Sequence, residues 1–144
     1  MVDQNDGAPA VGKSTRTRDR ALAVAGATAA AVVVWVVGDP LLGHELVVEQ
    51  PGQDPRDLDA SAFLFISLAS ALLGWALLAV LERVTAHAVR IWTAVAVVFL
   101  ALSFVPLIGV EATGGSKVVL ALAHLAVGAV LIPVFWRTAQ EEGR

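Results

Sequence analysis

Charged residues divide the chain into long uncharged runs. Asp, Glu, Lys and Arg are absent from four stretches of 18 to 22 residues each, at positions 21–38, 60–81, 91–110 and 118–136. A helix rises about 1.5 Å per residue, so about 20 residues cross a hydrocarbon core about 30 Å thick. Each run therefore predicts one membrane-spanning α-helix.

The pattern inside the runs favours helices over the strands of a membrane barrel. Barrel strands are about 10 residues long and alternate polar with apolar side chains. The runs are about twice that length and do not alternate. A water-soluble amphipathic helix would carry charges along one face, whereas these runs carry none on any face. The predicted fold class is all-α, a polytopic four-transmembrane-helix bundle.

Composition supports a membrane location. The 144 residues are 57% hydrophobic and only 16% charged, against about 45–50% and about 25% in a typical soluble domain. The length fits one domain. The chain has no cysteine, which excludes disulfides, thiolate metal sites and thiol redox chemistry. Arg outnumbers Lys by eight to two, a bias typical of GC-rich bacterial genomes.

The first run has an alternative interpretation as a cleaved signal peptide, because it follows a basic region. Val36 and Gly38 would then be the small residues before the cleavage site. Two features favour a retained span: the run is long for a signal-peptide core, and its Ala-rich part lies at its start rather than its end.

The distribution of Lys and Arg predicts the orientation. Residues 1–20 contain four, the 82–90 loop two and residues 137–144 two, whereas the opposite flanks contain only Arg56 and Lys117. Short cytoplasmic flanks carry the excess of basic residues. The prediction is a multi-pass protein of the cytoplasmic membrane, with the N-terminus, the 82–90 loop and the C-terminus in the cytoplasm.

The remaining segments complete the predicted organisation. Residues 1–20 are expected to be a disordered basic cytoplasmic tail, 21–136 the four-helix transmembrane domain, and 137–144 a second cytoplasmic tail. In loop 39–59, six acids accompany one Arg. Residues 46–49 predict a short strand that ends at the Pro51–Gly52 turn. The acids and His44 match no metal-ligand spacing, so a solvated cap is favoured and no metal site is predicted.

His124 is the one ionisable side chain inside the runs, roughly 9 Å below the outer end of the fourth by the helical rise. A histidine at this depth can bind a metal, a haem or a quinone. No second histidine lies at similar depth, so haem held by two histidines is excluded. The structural alternative, which is favoured, is a hydrogen bond to a hydroxyl or a backbone carbonyl that joins helices.

Polar and aromatic residues at the ends of the runs predict membrane anchoring. Trp35, Trp92 and Trp136 lie near run ends and are expected at headgroup level, while Trp75 is expected between helices. Glu82 and Arg83 are interpreted as interfacial anchors, with Arg90 or Arg137 as possible ion-pair partners of Glu82. Two prolines, Pro106 and Pro133, predict kinks in the third and fourth helices.

Three segments carry a resemblance to a known family: WVVGDPLL at 35–42, LLGWALLAVLER at 72–83 and LALAHLAVGAVLIP at 120–133. From about residue 20 onward the chain resembles an uncharacterised bacterial family of small four-span membrane proteins, a domain of unknown function. The resemblance implies a membrane location and a four-helix architecture, and it places His124 among the recurring features. It implies no activity, cofactor or catalytic residue.

The sequence therefore favours a non-enzymatic structural, accessory or interaction component of the membrane. The alternative is a binder or carrier of a lipid, quinone or other small apolar ligand, with a pocket near His124. A scaffold requires a filled core and an exposed face of small residues, for which Ala21, Ala25 and Ala29 have a suitable four-residue spacing. The expected partners are the lipid bilayer and another membrane protein or a second copy; no nucleic acid, cofactor or catalytic residue is predicted.

Overall fold

The computed structural model describes residues 10–49 and 51–140, and these form an antiparallel helical bundle. Helix α1 is followed by a π-helical turn (Val37–Leu41), and the remaining elements follow in chain order. They are α1 (Ala10–Val36), β1 (Val47–Val48), β2 (Arg56–Asp57), α2 (Ala60–Val84), α3 (Ala88–Leu102), α4 (Val105–Gly109) and α5 (Gly114–Gln140).

Four helical segments in the described part of the chain are long and apolar enough to cross a membrane. They are Lys13–Leu41, Ala60–Val84, Ala88–Gly109 and Gly114–Gln140. Each contains most or all of one uncharged run. The predictions of an all-α fold and of four spanning helices are confirmed.

The helices are arranged in a four-membered ring. Helix α1 packs against α2 and most extensively against α5, while α3 packs against the same two neighbours from the opposite side. Helices α2 and α5 also touch across the centre. Small side chains permit the close approach of α1 and α2, where Ala27 and Ala71 are completely buried.

Aromatic side chains fill the half of the core nearer the start of α1 and the end of α5. The rings of Trp92 and Phe135 lie 5.3 Å apart and are inclined at 49°. The Trp92 indole N–H donates to the Gly74 carbonyl at 2.8 Å, which joins α3 to α2. Trp92 was expected to meet the lipid headgroups, but its ring is buried and its N–H is satisfied inside the bundle. Trp75 is partly buried and packs against this core, as expected.

The first helix begins at Ala10, eleven residues before the first uncharged run. Residues 10–20, expected to be part of a disordered tail, are therefore helical, whereas residues 1–9 and 141–144 lie outside the described residues. The segment from Lys13 to Arg20 contains no Gly or Pro that would interrupt a helix. The helix therefore extends past the charged residues that were used to predict the start of the first span.

The third span is interrupted where Pro106 predicts a kink. Helix α3 ends at Leu102, and Pro106 lies in the first turn of α4, where its missing N–H costs nothing. The Ser103 hydroxyl donates to the Leu100 carbonyl at 2.6 Å, which adds a side-chain hydrogen bond at the end of α3. By contrast, α5 continues through Pro133.

Loop 39–59 folds into a small antiparallel hairpin, which confirms the predicted β element. Val47 pairs with Asp57 and Val48 with Arg56. Glu49 and Glu111 exchange two backbone hydrogen bonds of 3.1 Å, which ties the hairpin to the loop before α5. The buried side chain of Leu46 anchors the hairpin on the helices, against a cluster with Phe63, Val119, Leu120 and Ala123.

Candidate functional site

A buried ion pair joins three helices at the end of the bundle where α1 begins and α5 ends. The Arg20 guanidinium of α1 donates to both carboxylate oxygens of Glu82 in α2, with Nη1–Oε2 and Nη2–Oε1 distances of 3.0 and 2.6 Å. Its Nε donates to Thr138 Oγ1 of α5 at 3.0 Å. Arg20 is only 6% exposed. The fork shape of the guanidinium suits this two-point contact and leaves the Nε–H free to donate to the hydroxyl.

The prediction of an ion pair between Glu82 and Arg90 or Arg137 is wrong. Neither Arg90 nor Arg137 pairs with it, because Arg20 lies in the extension of α1 and reaches Glu82 inside the bundle. A sequence signal for this contact exists. Arg20 and Glu82 are the charged residues adjoining two uncharged runs at the same end of the bundle, they have opposite sign, and Thr138 follows a third run two residues later.

His124 lies half-buried in α5 and bonds to its own helix. Its Nδ1 is 2.6 Å from the Leu120 carbonyl oxygen. A carbonyl only accepts hydrogen bonds, so Nδ1 carries the proton, and in the neutral ring Nε2 is the acceptor. The ring centroid lies 6.0 Å from that of Phe104, at the break between α3 and α4. His124 therefore connects α5 to the interruption of the third span.

Polar contacts also hold the hairpin in place at the opposite end of the bundle. The buried Ser116 hydroxyl of α5 donates to the Glu45 carbonyl at 2.8 Å. The His44 ring lies directly over Gly115, where a Cβ atom would collide with it. Among the described residues, no group of three or more His, Asp or Glu side chains is arranged to hold a metal ion.

Asp59 caps the N-terminus of α2. Its carboxylate accepts from the Ala62 N–H at 2.8 Å and from the Ser61 hydroxyl at 2.7 Å. Both bonds favour the charged carboxylate, the backbone N–H most, so the pKa of Asp59 lies below its ordinary value. One of the six acids of loop 39–59 is therefore used for helix capping.

The two ends of the bundle carry opposite charge. The end with α1's first turns, which we call the basic end, has seven basic and two acidic described residues: Lys13, Arg16, Arg18, Arg20, Arg83, Arg90 and Arg137 against Asp19 and Glu82. The hairpin end has two basic and seven acidic ones: Arg56 and Lys117 against Asp39, Glu45, Glu49, Asp54, Asp57, Asp59 and Glu111.

The outer face of α1 consists largely of small side chains. Ala21, Ala25 and Ala29 are exposed at four-residue spacing, while the parallel series Ala23, Ala27 and Ala31 is buried against the other helices. Helix α1 therefore has two faces of small residues, one inside the bundle and one on its surface.

Comparison with known proteins gives a family for this architecture. Neither a curated protein nor a solved structure is significantly similar to the chain. One family model matches residues 11–141, which covers all four spans and the hairpin. The chain therefore belongs to the family of unknown function DUF6069.

Proposed function

We propose that this protein is a non-enzymatic structural or interaction component of the cytoplasmic membrane, which presents the outer face of α1 to a neighbouring transmembrane helix. The observation that carries the proposal is the use of the polar side chains within the bundle. Arg20 and Glu82 bond to each other, Trp92 bonds to the Gly74 carbonyl, and His124 bonds to its own helix. These groups stabilise the fold, which is the pattern expected of a scaffold.

The exposed face of α1 supports an interaction role. In a membrane, helices associate by close packing of small residues rather than by burial of apolar surface from water. The face formed by Ala21, Ala25 and Ala29 allows another helix to approach closely. Large exposed side chains such as Leu73, on α2, suit contact with lipid instead.

We further propose that the basic end lies in the cytoplasm. The excess of Lys and Arg at this end, seven against two in the described residues, supports this orientation. Both chain termini would then be cytoplasmic, and the acidic hairpin would face the outside.

The absence of cysteine permits a direct test by site-directed crosslinking. Ala25→Cys places a single thiol on the outer face of α1, where a thiol-reactive photo-crosslinker is attached in native membranes. We expect capture of a second copy or of another membrane protein of defined mass. Leu73→Cys, an exposed position on α2 that is 71% accessible, is the control for random collisions. Equal capture from the two positions would overturn the interaction function.

One observation supports the alternative function, which is the binding of a small apolar ligand near His124. The Nδ1–H tautomer presents Nε2 as an acceptor, and a quinol hydroxyl or a similar donor is a suitable partner for it. The two functions differ in what purifies with the protein: a scaffold requires no bound small molecule, whereas a carrier retains one.

A further inference from the structure

A cleft opens at the basic end between the start of α3 and the end of α5. Its volume is about 540 Å³. The α2–α3 connection and the first turn of α3 form one wall, and the last two turns of α5 form the other. The lining residues are Ala86, His87, Val89, Arg90, Trp136 and Gln140.

The side chains that line this cleft are matched to an anion. Arg90 offers a fixed fork of N–H donors, which suits phosphate geometry, and Gln140 and His87 offer further N–H groups. Among the described residues, none that lines the cleft is a carboxylate. The fixed charge that the described residues place in the cleft is therefore the positive charge of Arg90.

In the part of the chain that the structure describes, the neighbouring ion pair occupies the acid that could otherwise compensate the charge of Arg90. Glu82, the nearest acid along the chain before Arg90, is fully engaged by Arg20 through both of its oxygens. Within residues 10–49 and 51–140, Arg90 makes no ion pair of its own. A ligand with negative charge would supply the missing partner.

The apolar parts of the cleft indicate that the anion belongs to a lipid. Trp136 is 46% exposed, and tryptophan is enriched at the level of the headgroups. Val97 lies seven residues after Arg90, hence two turns along the same face of α3, and it is 51% exposed. An occupant whose phosphate binds at Arg90 thus has an apolar surface along α3 for its acyl chains.

We propose that this cleft binds the phosphate headgroup of an anionic phospholipid at the basic end of the bundle. Basic pockets between transmembrane helices are suited to such headgroups, and each basic residue near the surface strengthens the attraction. Arg90 contacts the phosphate, Gln140 and His87 hydrogen-bond to the headgroup, and the Trp136 ring packs against the lipid at the glycerol level.

The test compares two arginines of the same end. The full chain is purified in detergent and titrated with phosphatidylglycerol or phosphatidylcholine, and bound lipid is counted by native mass spectrometry. We expect preference for phosphatidylglycerol, and about a fivefold loss of its affinity in Arg90→Gln. Arg83→Gln removes an equal charge from an exposed residue that does not line the cleft, and it should change the affinity less than twofold.

Three results would overturn the proposal. Equal losses in the two variants would show general attraction to a basic surface. Equal affinities for the two lipids would show that the net negative charge of the headgroup is not recognised, because both lipids contain a phosphate and only phosphatidylglycerol is anionic overall. Displacement of phosphatidylglycerol by millimolar glycerol phosphate would show that the cleft takes a soluble anion instead. Circular dichroism of both variants verifies the fold. We expect it to persist, because the side chains of Arg83 and Arg90 are both exposed.

Discussion

Arg20 shows how a charged residue can be kept at the edge of a membrane-spanning core. An isolated charge there is costly, but three neighbouring groups satisfy this one: two carboxylate oxygens of Glu82 and the hydroxyl of Thr138. The contacts come from α1, α2 and α5, so one side chain fixes the relative position of three helices. The geometry of the bundle thus depends on residues outside the uncharged runs.

Removal of one partner of this ion pair should destabilise the protein strongly. Glu82→Gln leaves the Arg20 charge buried without a counter-ion, and the expected cost is about 3–5 kcal/mol of unfolding free energy. The measurement is unfolding in mixed detergent micelles, followed by circular dichroism. Arg83→Gln, which changes an exposed charge at the next position, should have an effect below about 0.5 kcal/mol.

A double variant separates the loss of the pair from the exposure of a lone charge. In Arg20→Met with Glu82→Leu, both charges are replaced by apolar groups of similar size, and most of the stability should return. An unchanged unfolding energy in Glu82→Gln would contradict the role assigned to the pair. Equal destabilisation in the single and double variants would contradict the explanation by an uncompensated charge.

His124 allows the structural and ligand-binding interpretations to be separated. If it only joins the fourth span to Phe104 and the Leu120 carbonyl, His124→Gln should keep most of the stability, because the amide can replace the ring N–H. His124→Leu should cost about 1–2 kcal/mol at most. If it holds a ligand, both variants should lose a co-purifying molecule while the fold persists. Mass spectrometry of the purified parent and variants checks both outcomes.

At the scale of elements, the uncharged runs predicted which segments cross the membrane but not where the helices end. Helix α2 begins with its run at Ala60 and ends three residues beyond it, at Val84. Helix α1 extends much further, from the expected start at 21 back to Ala10. The reason is physical: the lack of charge reports contact with hydrocarbon, whereas helix ends depend on capping and on breaking residues. Asp59, whose side chain caps α2, therefore marks the start of a helix more clearly than the beginning of an uncharged run does.

The packing of the elements was harder to predict, because one periodicity fits more than one face. The series Ala21, Ala25, Ala29 and the series Ala23, Ala27, Ala31 obey the same four-residue spacing, and only the second faces the core. The expected environment of Trp92 was wrong for a related reason. Its place at the start of a run suggested the headgroup region, but the position of α3 turns its ring inward, to the Gly74 carbonyl. Which face is buried depends on the neighbouring helices.

The candidate site was predictable only in part. His124 was identified because it is the single ionisable residue within a run, a property of the sequence alone. Arg20 and the cleft at Arg90 were missed, because their roles depend on residues brought together from distant positions: residues 20, 82 and 138 in the ion pair, and 90 and 136 in the cleft. The available signal, charges of opposite sign next to two runs at the same end of the bundle, does not by itself show that Arg20 is buried while Arg83 is exposed.

At the scale of the whole molecule, charge separation is the dominant feature. The folded hairpin and the loop before α5 concentrate acids at one end, while the helix termini at the other end concentrate Arg and Lys. Under the proposals made above, the same asymmetry would set the orientation during insertion and, at the basic end, attract anionic lipid. A scaffold with a fixed orientation can present the outer face of α1 to neighbours in one direction only.

This asymmetry predicts a single orientation in the bacterial cytoplasmic membrane. Reporter domains fused after Arg144 or inserted near His87 should be active in the cytoplasm, whereas a reporter at Gly52, in the turn of the hairpin, should be active outside. Gly52 suits an insertion because it is exposed, has a positive φ of 79° and has open space on the side where a Cβ atom would project, with no neighbouring atom within 4 Å. A control variant with Arg83→Gln and Arg90→Gln removes two positive charges from the 82–90 loop and leaves those of α1 in place. It should keep the parent's orientation, because the basic residues of α1 remain. A cytoplasmic signal at Gly52 in the parent protein would refute both the proposed orientation and the assignment of the acidic hairpin to the outside.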